Sequence, residues 1–369
     1  MQHSASSIAI GIIGCGNISP AYLNAAKAFP ILKVHALADQ NEAAARARAD
    51  EFGLRAMSID ALLADPAIQI VVNLTTPQSH VEVGLRALNA GKHVHSEKPL
   101  GIVLSEGQRL VARARELGLR VGCAPDTFLG GAHQTCRKLV DEGAIGQPVA
   151  GSAFFMCPGH ERWHPNPAFY YGKGGGPMLD MGPYYITALV NLLGPVARVA
   201  GATARPRDQR PITSEPLKGQ MIQVEVPTHV AGLLSFASGA VVTIVMSFDV
   251  ARHRHAHIEL YGTEGAMQVP DPNRFGGQIE LAQGGGDWKG VDTVHPYSNG
   301  NFRIIGVADM AHAIAANRPH RASGDLALHV LEVMQAVEQA GETGRVMDIQ
   351  TRPERPAMLP VDVRPGALD

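Results

Sequence analysis

Short apolar runs alternate with amphipathic segments over the first third of the chain. The runs are bounded by turn residues, which predicts buried strands in SIAIGIIG, LKVHALAD, IQIVVNLTTP, HVHSEKP and LRVGCAP. The segments between them predict helices in AYLNAAKAF, NEAAARARADEFG, HVEVGLRALNAGK and LSEGQRLVARARELG. Strands that alternate with helices predict a parallel sheet with right-handed crossovers, in which ligands bind at the carboxyl ends of the strands.

A different pattern begins after Pro125. The segment GGAHQTCRKLVDEGAIG predicts a helix, and β-branched runs predict strands in PVAGSAFFM, VARVAGATAR, THVAGLLSFASGAVVTIVMSFDV, AHIELYGTEGAMQV and GQIELA. Within the longest run, FASGAV predicts a hairpin turn. Helices are predicted near 301–317 and 324–340. We therefore expect an α/β protein with a parallel-sheet domain over residues 1–125. A second α/β domain over 126–369 is expected to contain a large, open, mostly antiparallel sheet.

Composition narrows the class of protein. The chain has 369 residues, which favours two domains, and its 45% hydrophobic and 18% charged residues are ordinary for a globular protein. The net charge of −2 comes without a basic block, so it gives no electrostatic basis for binding nucleic acid or an anionic membrane surface.

Cysteine usage and the N-terminus indicate the compartment. Four cysteines are scattered without CxxC spacing, so we expect reduced thiols, no disulfide framework and no zinc site. The stretch MQHSASSIAIGIIGCG lacks the basic region and cleavage site of a signal peptide, and no apolar run reaches the ~18 residues of a membrane span. The expected location is the cytoplasm.

The first predicted strand-to-helix turn carries a dinucleotide-binding fingerprint, Gly14-Cys15-Gly16-Asn17-Ile18-Ser19, with serine in the third glycine position. Gly14 permits the tight turn, Gly16 lets the backbone approach a pyrophosphate, and the helix N-terminus supplies N–H donors. Asp39 ends the next strand, where a carboxylate accepts hydrogen bonds from ribose and repels a 2′-phosphate. NAD is therefore expected rather than NADP. The alternative is a glycine turn followed by a helix-capping aspartate.

Two further strand ends belong to the same predicted crevice. The segment 75–80 ends the third strand, where its hydroxyls would line the cofactor; a proline turn with a helix-capping serine is the alternative. Glu97 and Lys98 end the fourth strand, where burying two charges is costly unless they are paired or used, and a surface ion pair is the alternative. The expected cofactor-binding residues are Gly14, Gly16, Asn17, Ile18, Asp39, Thr75, Thr76, Pro77, His80, Glu97 and Lys98.

A carboxylate and a phenol follow the glycine-rich stretch GGGPMLDMGPYYI, residues 174–186. A helix that begins around Asp180 would place Pro183 in its first turn, where the missing N–H costs little. Asp180 and Tyr184 are four residues apart and would share a helix face, whereas Tyr185 would be rotated away and pack. The glycines would let the backbone pass close to a nicotinamide or substrate. The alternative role for Asp180 is a helix cap.

The fingerprint, Glu97-Lys98-Pro99 and the glycine loop leading to Asp180-x-x-x-Tyr184 together resemble the Gfo/Idh/MocA family of oxidoreductases, which act on sugars and cyclitols. The resemblance covers nearly the whole chain. It implies a Rossmann domain followed by an open-sheet domain, and hydride exchange between a nicotinamide and a carbinol carbon. It also implies Lys98 as active-site lysine and Asp180 as the carboxylate that orients substrate. Tyr184 stands where the family usually has histidine, although some relatives also have tyrosine there.

On this resemblance, we expect Tyr184 to take the proton of the substrate hydroxyl as hydride leaves the same carbon. The Lys98 ammonium is expected to lower the pKa of the phenol and to stabilise the developing alkoxide. Lys98 as the proton-transfer group, with Tyr184 only positioning, is the alternative. Rival functions are an NADP-dependent enzyme, an enzyme that cycles a retained cofactor between two sugars, and a catalytically silent dinucleotide-binding regulator.

Other polar residues are weaker candidates. The segment before the glycine loop contains Trp163, His164 and Tyr170, which we expect to contact substrate; packed aromatic residues are the alternative. A predicted helix carries Asp309 and His312, and we expect Asp309 to contact substrate; a solvated polar stripe on that helix is the alternative. The segment RHRHAH would place three histidines on one face of a strand, but it lacks acidic or cysteine partners, so no metal is expected. The apolar sheet face predicts a homodimer or homotetramer.

Overall fold

Six parallel strands form the first sheet of the protein. The structure is a computed structural model that describes residues 7–369, and residues 1–6 lie outside the described part. The strands are β1 (Ile8–Ile13), β2 (Leu32–Ala38), β3 (Arg55–Ala56), β4 (Ile70–Asn73), β5 (His93–Ser96) and β6 (Val121–Cys123). Their order is β3-β2-β1-β4-β5-β6. The order reverses between β1 and β4, which places the ligand crevice of this sheet at the carboxyl ends of those strands.

Helices connect these strands, four of them as expected. They are α1 (Ser19–Ala26), α2 (Glu42–Phe52), α3 (Ile59–Ala64), α4 (His80–Asn89) and α5 (Leu104–Glu116). The Asn41 side chain caps α2 by accepting from the Ala43 and Ala44 amides, and Gly53 ends it in the left-handed conformation. Short β3 and α3 were not predicted, because two and six residues are too few to show a period.

The second sheet has nine strands. They are β7 (Pro148–Met156), β8 (Val196–Ala204), β11 (His229–Phe236), β12 (Val241–Ser247), β13 (Ile258–Gly262), β14 (Gly265–Val269), β15 (Ile279–Gln283), β16 (Lys289–Val291) and β17 (Met347–Asp348). A separate pair consists of β9 (Gln209–Pro211) and β10 (Met221–Gln223). The large sheet has the order β16-β15-β14-β13-β7-β12-β11-β8-β17. Only β7 and β12 pair in parallel, so the expected open, mostly antiparallel sheet is confirmed.

Four helices accompany this sheet: α6 (Gly131–Asp141), α7 (Gly176–Leu193), α8 (Ile305–Ala315) and α9 (Gly324–Thr343). Helix α7 is buried at every residue except Asp180, because it lies between the sheet and α9. Helix α9 also packs on α5, and the Cys123 amide donates to the Ala322 carbonyl at 3.2 Å. The C-terminal part of the chain therefore contacts both sheets. Among the described helices, none is long and apolar enough to cross a membrane.

Two local predictions were wrong. Helix α7 begins at Gly176, not around Asp180, since Pro177 fits its first turn; Pro183 therefore lies in the helix interior. The segment RHRHAH is not a strand, because β13 begins only at Ile258. His255 instead stacks on Phe154, with ring centroids 4.2 Å apart. Within residues 7–369, no three metal-ligating side chains form a group that could hold an ion.

Asp309 is the most deeply buried carboxylate in an ion pair of this fold. It is fully buried on α8, and its Oδ1 accepts from Arg318 Nη2 at 2.8 Å and from Arg321 Nη1 at 2.5 Å. The Arg321 amide also donates to Oδ2 at 2.5 Å. The alternative that Asp309 belongs to a solvated polar stripe is therefore wrong. Asp309 instead connects α8 to the segment that precedes α9.

Replacing Asp309 with alanine should lower the free energy of unfolding by about 3–5 kcal/mol, because two guanidinium groups lose their buried partner. The matched control is Asp325→Ala, which removes the exposed pair with Arg115 and should cost at most about 1 kcal/mol. Chemical denaturation followed by circular dichroism measures both. Equal losses in the two variants would contradict the structural role of Asp309.

Candidate active site

A cavity of about 440 Å³ lies at the junction of the two sheets. The side of the parallel sheet contributes Ile18, Thr75, Pro77, Glu97, Lys98 and Pro99. The opposite side contributes Phe155, His160, Trp163, Phe169, Tyr170, Gly174, Gly175, Leu179, Asp180, Met181, Tyr184 and Asn273. Its size is in the range of small-molecule sites, and its lining is mainly apolar with a few convergent polar groups, as such sites usually are.

Gly14 and Gly16 fit a dinucleotide for different reasons. Gly14 has φ = 107°, and a Cβ there would lie 2.5 Å from the Leu74 carbonyl carbon, so only glycine lets the turn approach β4. A Cβ on Gly16 would meet no atom within 4 Å, so the space beside it is open to a ligand. The exposed Asn17 lies beside it, and within residues 7–369 the amides of Gly16, Asn17 and Ile18 donate to no backbone carbonyl, so these three N–H groups remain as donors for phosphate oxygens. The first amide of α1, that of Ser19, already donates to the Gly16 carbonyl at 3.1 Å.

The Asp39 carboxylate lies beside this turn. Its Oδ2 accepts from the Cys15 amide at 2.8 Å, and its Oδ1 accepts from the Asn41 amide at 2.8 Å. Each oxygen keeps a lone pair, so the carboxylate is held in place and still able to accept a hydrogen bond from a ribose hydroxyl. The donors of the turn and this acceptor together fit NAD.

The predicted residues of segment 75–80 divide into two groups. Thr75 and Pro77 line the cavity, whereas Thr76 is exposed at the start of a short turn. His80 is fully buried, with Nδ1 2.7 Å from the Pro99 carbonyl oxygen and Nε2 3.0 Å from that of Thr75. It therefore holds two cavity-lining segments together from behind.

Lys98 and Asp180 form a buried ion pair across the cavity. Lys98 Nζ donates to Asp180 Oδ1 and to the Asp180 carbonyl oxygen, each at 2.7 Å. Burial alone would lower the pKa of the ammonium, but Asp180 raises it above its usual range. Burial alone would likewise raise the pKa of the Asp180 carboxyl, but Lys98 and His160 hold it well below its usual range. Both groups are charged at neutral pH.

Glu97 does not pair with the Lys98 ammonium. Its Oε1 accepts from the buried Tyr22 hydroxyl at 2.7 Å, and its Oε2 accepts from the Lys98 amide at 2.9 Å. The simple ion pair considered from the sequence is therefore absent, and Lys98 extends to α7 instead. Glu97 orients the backbone from which the Lys98 side chain starts.

Tyr184 lies one helical turn after Asp180 on α7 and faces the same cavity. The Lys98 ammonium is 5.3 Å from its ring centroid, and Arg303 Nη2 donates to its hydroxyl at 3.4 Å. Burial raises the pKa of the phenol and outweighs the opposing effects of Lys98 and Arg303. Lys98 does lower the pKa of the phenol, as expected, but the burial that the sequence did not show leaves the net pKa above its ordinary value, so Tyr184 is a protonated phenol at neutral pH. Tyr185 packs, as expected, and its hydroxyl also forms a hydrogen bond with His257 Nδ1 at 2.8 Å.

His160 was not predicted, yet it completes the polar centre. Its Nε2 lies 3.0 Å from Asp180 Oδ2, on the oxygen that Lys98 leaves free. The Trp163 indole donates to His160 Nδ1 at 3.2 Å. Because an indole N–H is only a donor, Nδ1 must be unprotonated, so Nε2 carries the proton and donates to Asp180. The sequence signal was the segment GHERWHPNPAFYYG, from which Trp163, His164 and Tyr170 were chosen instead.

A buried ion cluster holds the segment that carries His160. Arg210 is 1% exposed and donates to Glu161 Oε1 at 2.9 Å; it also pairs with Asp249. Tyr171 donates to Glu161 and accepts from the His160 amide, the latter at 3.1 Å. These bonds position the backbone on both sides of His160.

The remaining substrate candidates differ in position. Trp163 and Tyr170 line the cavity, and Trp163 is 61% exposed at its mouth. His164 packs against Trp163 and Tyr170 without lining the cavity. Asp309 is buried in its arginine pair and does not reach the cavity. Arg303, which contacts Tyr184, was missed because a single arginine before a helix carries no sequence signal.

Two family models match the chain. Residues 8–124 match one described as "Oxidoreductase family, NAD-binding Rossmann fold". Residues 133–268 match the GFO/IDH/MocA C-terminal domain. The two matches cover the crevice of the parallel sheet and most of the second sheet.

Curated relatives and solved structures are similar to the chain. A 1,5-anhydro-D-fructose reductase of Ensifer adhaerens is 27% identical, over 84% of this chain and 88% of the relative. A dTDP-3,4-didehydro-2,6-dideoxy-alpha-D-glucose 3-reductase of Streptomyces violaceoruber is 36% identical, over 54% of this chain and 58% of the relative. A levoglucosan dehydrogenase in complex with NADH has a TM-score of 0.83 at 22% identity, covering 94% of this chain and 100% of that one. At 22% identity, the similarity to this levoglucosan dehydrogenase structure shows that the two chains share a fold.

The hydrogen bond between Trp163 and His160 predicts a fluorescence signature. In a Trp288→Phe background, where Trp163 is the sole tryptophan, His160→Phe keeps an aromatic ring but removes the acceptor of the indole N–H, so the emission of Trp163 should change. The control is His164→Phe, because the His164 ring packs against Trp163 without accepting from its N–H, and it should keep the wild-type emission. Equal spectra in the two variants would contradict the bond to His160.

Proposed function

Because this chain belongs to the Gfo/Idh/MocA family of oxidoreductases, we propose that it exchanges hydride between NAD and a CH–OH or C=O carbon of a sugar, sugar derivative or cyclitol. The observation that carries the proposal is the convergence of Lys98, Asp180 and Tyr184 in one cavity beside the dinucleotide crevice. The ammonium and the phenol come from different parts of the chain, the end of β5 and helix α7.

NAD is proposed to lie along the carboxyl ends of the parallel strands. The turn from Gly14 to Ile18 would hold its pyrophosphate, and Asp39 its ribose. Thr75, Pro77 and Lys98 would lie beside the nicotinamide, which supplies or accepts hydride when bound. A 2′-phosphate beside Asp39 would be repelled, which supports NAD over NADP.

Tyr184 and Lys98 are proposed to act on the substrate oxygen in different ways. Tyr184 is protonated, so it is suited to donate its proton to an oxygen that gains charge as a carbonyl is reduced. Lys98 remains an ammonium and would stabilise the same oxygen by charge. Asp180, ionised and held by Lys98 and His160, would accept a neighbouring substrate hydroxyl. With Lys98 as proton donor instead, Tyr184 would only position the substrate.

The protonation states favour carbonyl reduction as the faster direction at neutral pH. Both candidate proton-transfer groups carry their protons, and oxidation of an alcohol would first require the costly buried phenolate. Two of the similar relatives are named as reductases, of 1,5-anhydro-D-fructose and of a dTDP-linked didehydro sugar, and a third is named as a levoglucosan dehydrogenase, which supports the sugar substrate class.

Assembly and location complete the proposal. The outward face of the large sheet carries the partly exposed Leu233, Val241 and Tyr261, which supports a homodimer or homotetramer through this face. The four cysteines are free, which supports work in the cytoplasm. The domain boundary is proposed near residue 125, after β6.

Tyr184→Phe should lower kcat for reduction of a keto sugar by about 10²–10⁴-fold, because it removes the proton donor. The matched control is Tyr185→Phe, whose buried hydroxyl bonds His257 and does not line the cavity, so activity should stay close to wild type. The absorbance of the reduced cofactor measures turnover with a panel of sugars and cyclitols.

The raised pKa of Tyr184 also predicts a pH dependence in the wild type. The rate of alcohol oxidation should rise about tenfold per pH unit around neutrality, because oxidation needs the phenolate, while the rate of carbonyl reduction stays flat. The same absorbance assay measures both rates.

Near-normal turnover in Tyr184→Phe would assign proton transfer to another group. Tight binding of NAD without turnover of any compound in the panel would reject the enzyme and favour a dinucleotide-binding regulator.

A further inference from the structure

A second cavity, of about 480 Å³, adjoins the catalytic one. Two loops, 273–277 and 298–303, form it, and its polar lining consists of Asn273, Arg274, Ser298, Asn299, Asn301 and Arg303. Asn273 lines both cavities. Arg303 Nη2 donates to Asn273 Oδ1 at 2.6 Å and to the Tyr184 hydroxyl at 3.4 Å. Arg303 and Asn273 therefore form the wall between the two spaces.

The charge of this second cavity is positive. Its lining holds two arginines and three asparagines, with no aspartate or glutamate. Arg274 is largely exposed; it forms an ion pair with Asp271, whose Oδ2 lies 3.6 Å from Arg274 Nε, but this distance is too long for a hydrogen bond, so the N–H groups of Arg274 stay open to a ligand. Arg303 pairs with no carboxylate in the described part of the chain, and its Nε and Nη1 have no protein acceptor there. A guanidinium with two free N–H edges is the group best suited to bind a phosphate or carboxylate.

The backbone that carries Arg303 is held at a cost. Within residues 7–369, three non-glycine residues have positive φ, and two of them, Tyr297 at 64° and Ile304 at 112°, flank the second loop. A β-branched residue such as isoleucine avoids this region. The conformation is fixed by Asp126 Oδ2, which accepts from the Ile304 and Gly306 amides, each at 3.0 Å. Strain of this kind is retained where the surroundings over-determine it, and it clusters at ligand sites.

We propose that the second cavity binds an anionic oxygen group of the substrate, a phosphate or a carboxylate, while the reacting carbon lies beside Tyr184 in the first cavity. This proposal rests on the proposed function for the identity of the ligand as a sugar derivative. Arg303 would bind the anion through its free N–H groups and keep its donor to the Tyr184 hydroxyl. The phenol proton would then point away from Arg303, toward the substrate oxygen.

Inorganic phosphate tests the site without turnover. In the presence of saturating NAD, which occupies the dinucleotide crevice, phosphate at ten times its dissociation constant should raise Tm on the order of 2 °C above chloride at equal ionic strength. Arg274→Gln and the double variant with Arg303→Gln should lose most of this rise. Arg198→Gln, which removes an equal charge at an exposed position of β8 and lines neither cavity, should retain it.

Equal phosphate stabilisation in wild type, Arg274→Gln and Arg198→Gln would overturn the proposal. Arg274 is exposed, so its variant should fold even where the double variant does not. Retention of the rise in Arg198→Gln, with loss in Arg274→Gln, supports the anion site even where no sugar is turned over. An anion site that is shown in this way in a protein without sugar turnover would reject the proposed function and leave the second-cavity proposal standing.

A substrate panel then distinguishes the two anions. Neutral keto sugars, keto-sugar phosphates and keto-sugar acids are compared by kcat/KM with NADH. One anionic class should exceed its neutral counterpart by about tenfold or more, as expected for one or two charge-assisted hydrogen bonds. Arg274→Gln should reduce that ratio, and Arg198→Gln should leave it unchanged. A wild-type enzyme that prefers neutral sugars to both anionic classes would overturn the proposal.

Discussion

The buried ion pair between Lys98 and Asp180 is the interaction on which the site depends. Lys98 follows β5 of the parallel sheet and Asp180 lies on α7 beneath the second sheet, so one contact joins the two halves of the cavity. An unpaired buried ammonium costs several kcal/mol, which is why its partner must be close and well oriented. Pro183 removes the N–H that would bond the Leu179 carbonyl and so loosens this turn of α7. The next carbonyl, that of Asp180, accepts from Lys98 as well.

The pair also sets the chemistry around it. Because Lys98 satisfies one carboxylate oxygen of Asp180, the other is left for His160, whose tautomer is fixed in turn by Trp163. Lys98 attracts the Tyr184 phenolate, yet burial opposes that form more strongly, so the phenol keeps its proton. A site that holds an ammonium and a phenol beside an ionised carboxylate is prepared to protonate an oxygen. This is the physical reason for proposing reduction as the favoured direction.

Much of the fold was predictable because it depends on local patterns. Alternating strand and helix periods predicted the parallel sheet, and the glycine spacing predicted the turn at Gly14, although the approach to Leu74 that requires glycine there is seen only in the structure. The four-residue spacing of Asp180 and Tyr184 predicted their shared face. His160 was not predictable, since its contact depends on how an irregular segment is held by the buried ion cluster around Arg210. The pKa of Tyr184 depends on burial that spacing does not show, and the histidines of RHRHAH alternate without an apolar face to bury.

A double-mutant cycle on turnover tests most directly whether Lys98 and Asp180 act as one unit. The cycle compares kcat/KM of wild type, Lys98→Met, Asp180→Asn and the double variant, with NADH and one keto sugar. The account predicts strong non-additivity: the double variant loses no more than about tenfold beyond the worse single variant, because either change already breaks the unit. Losses that multiply in the double variant would show that the two groups act independently and would contradict the account.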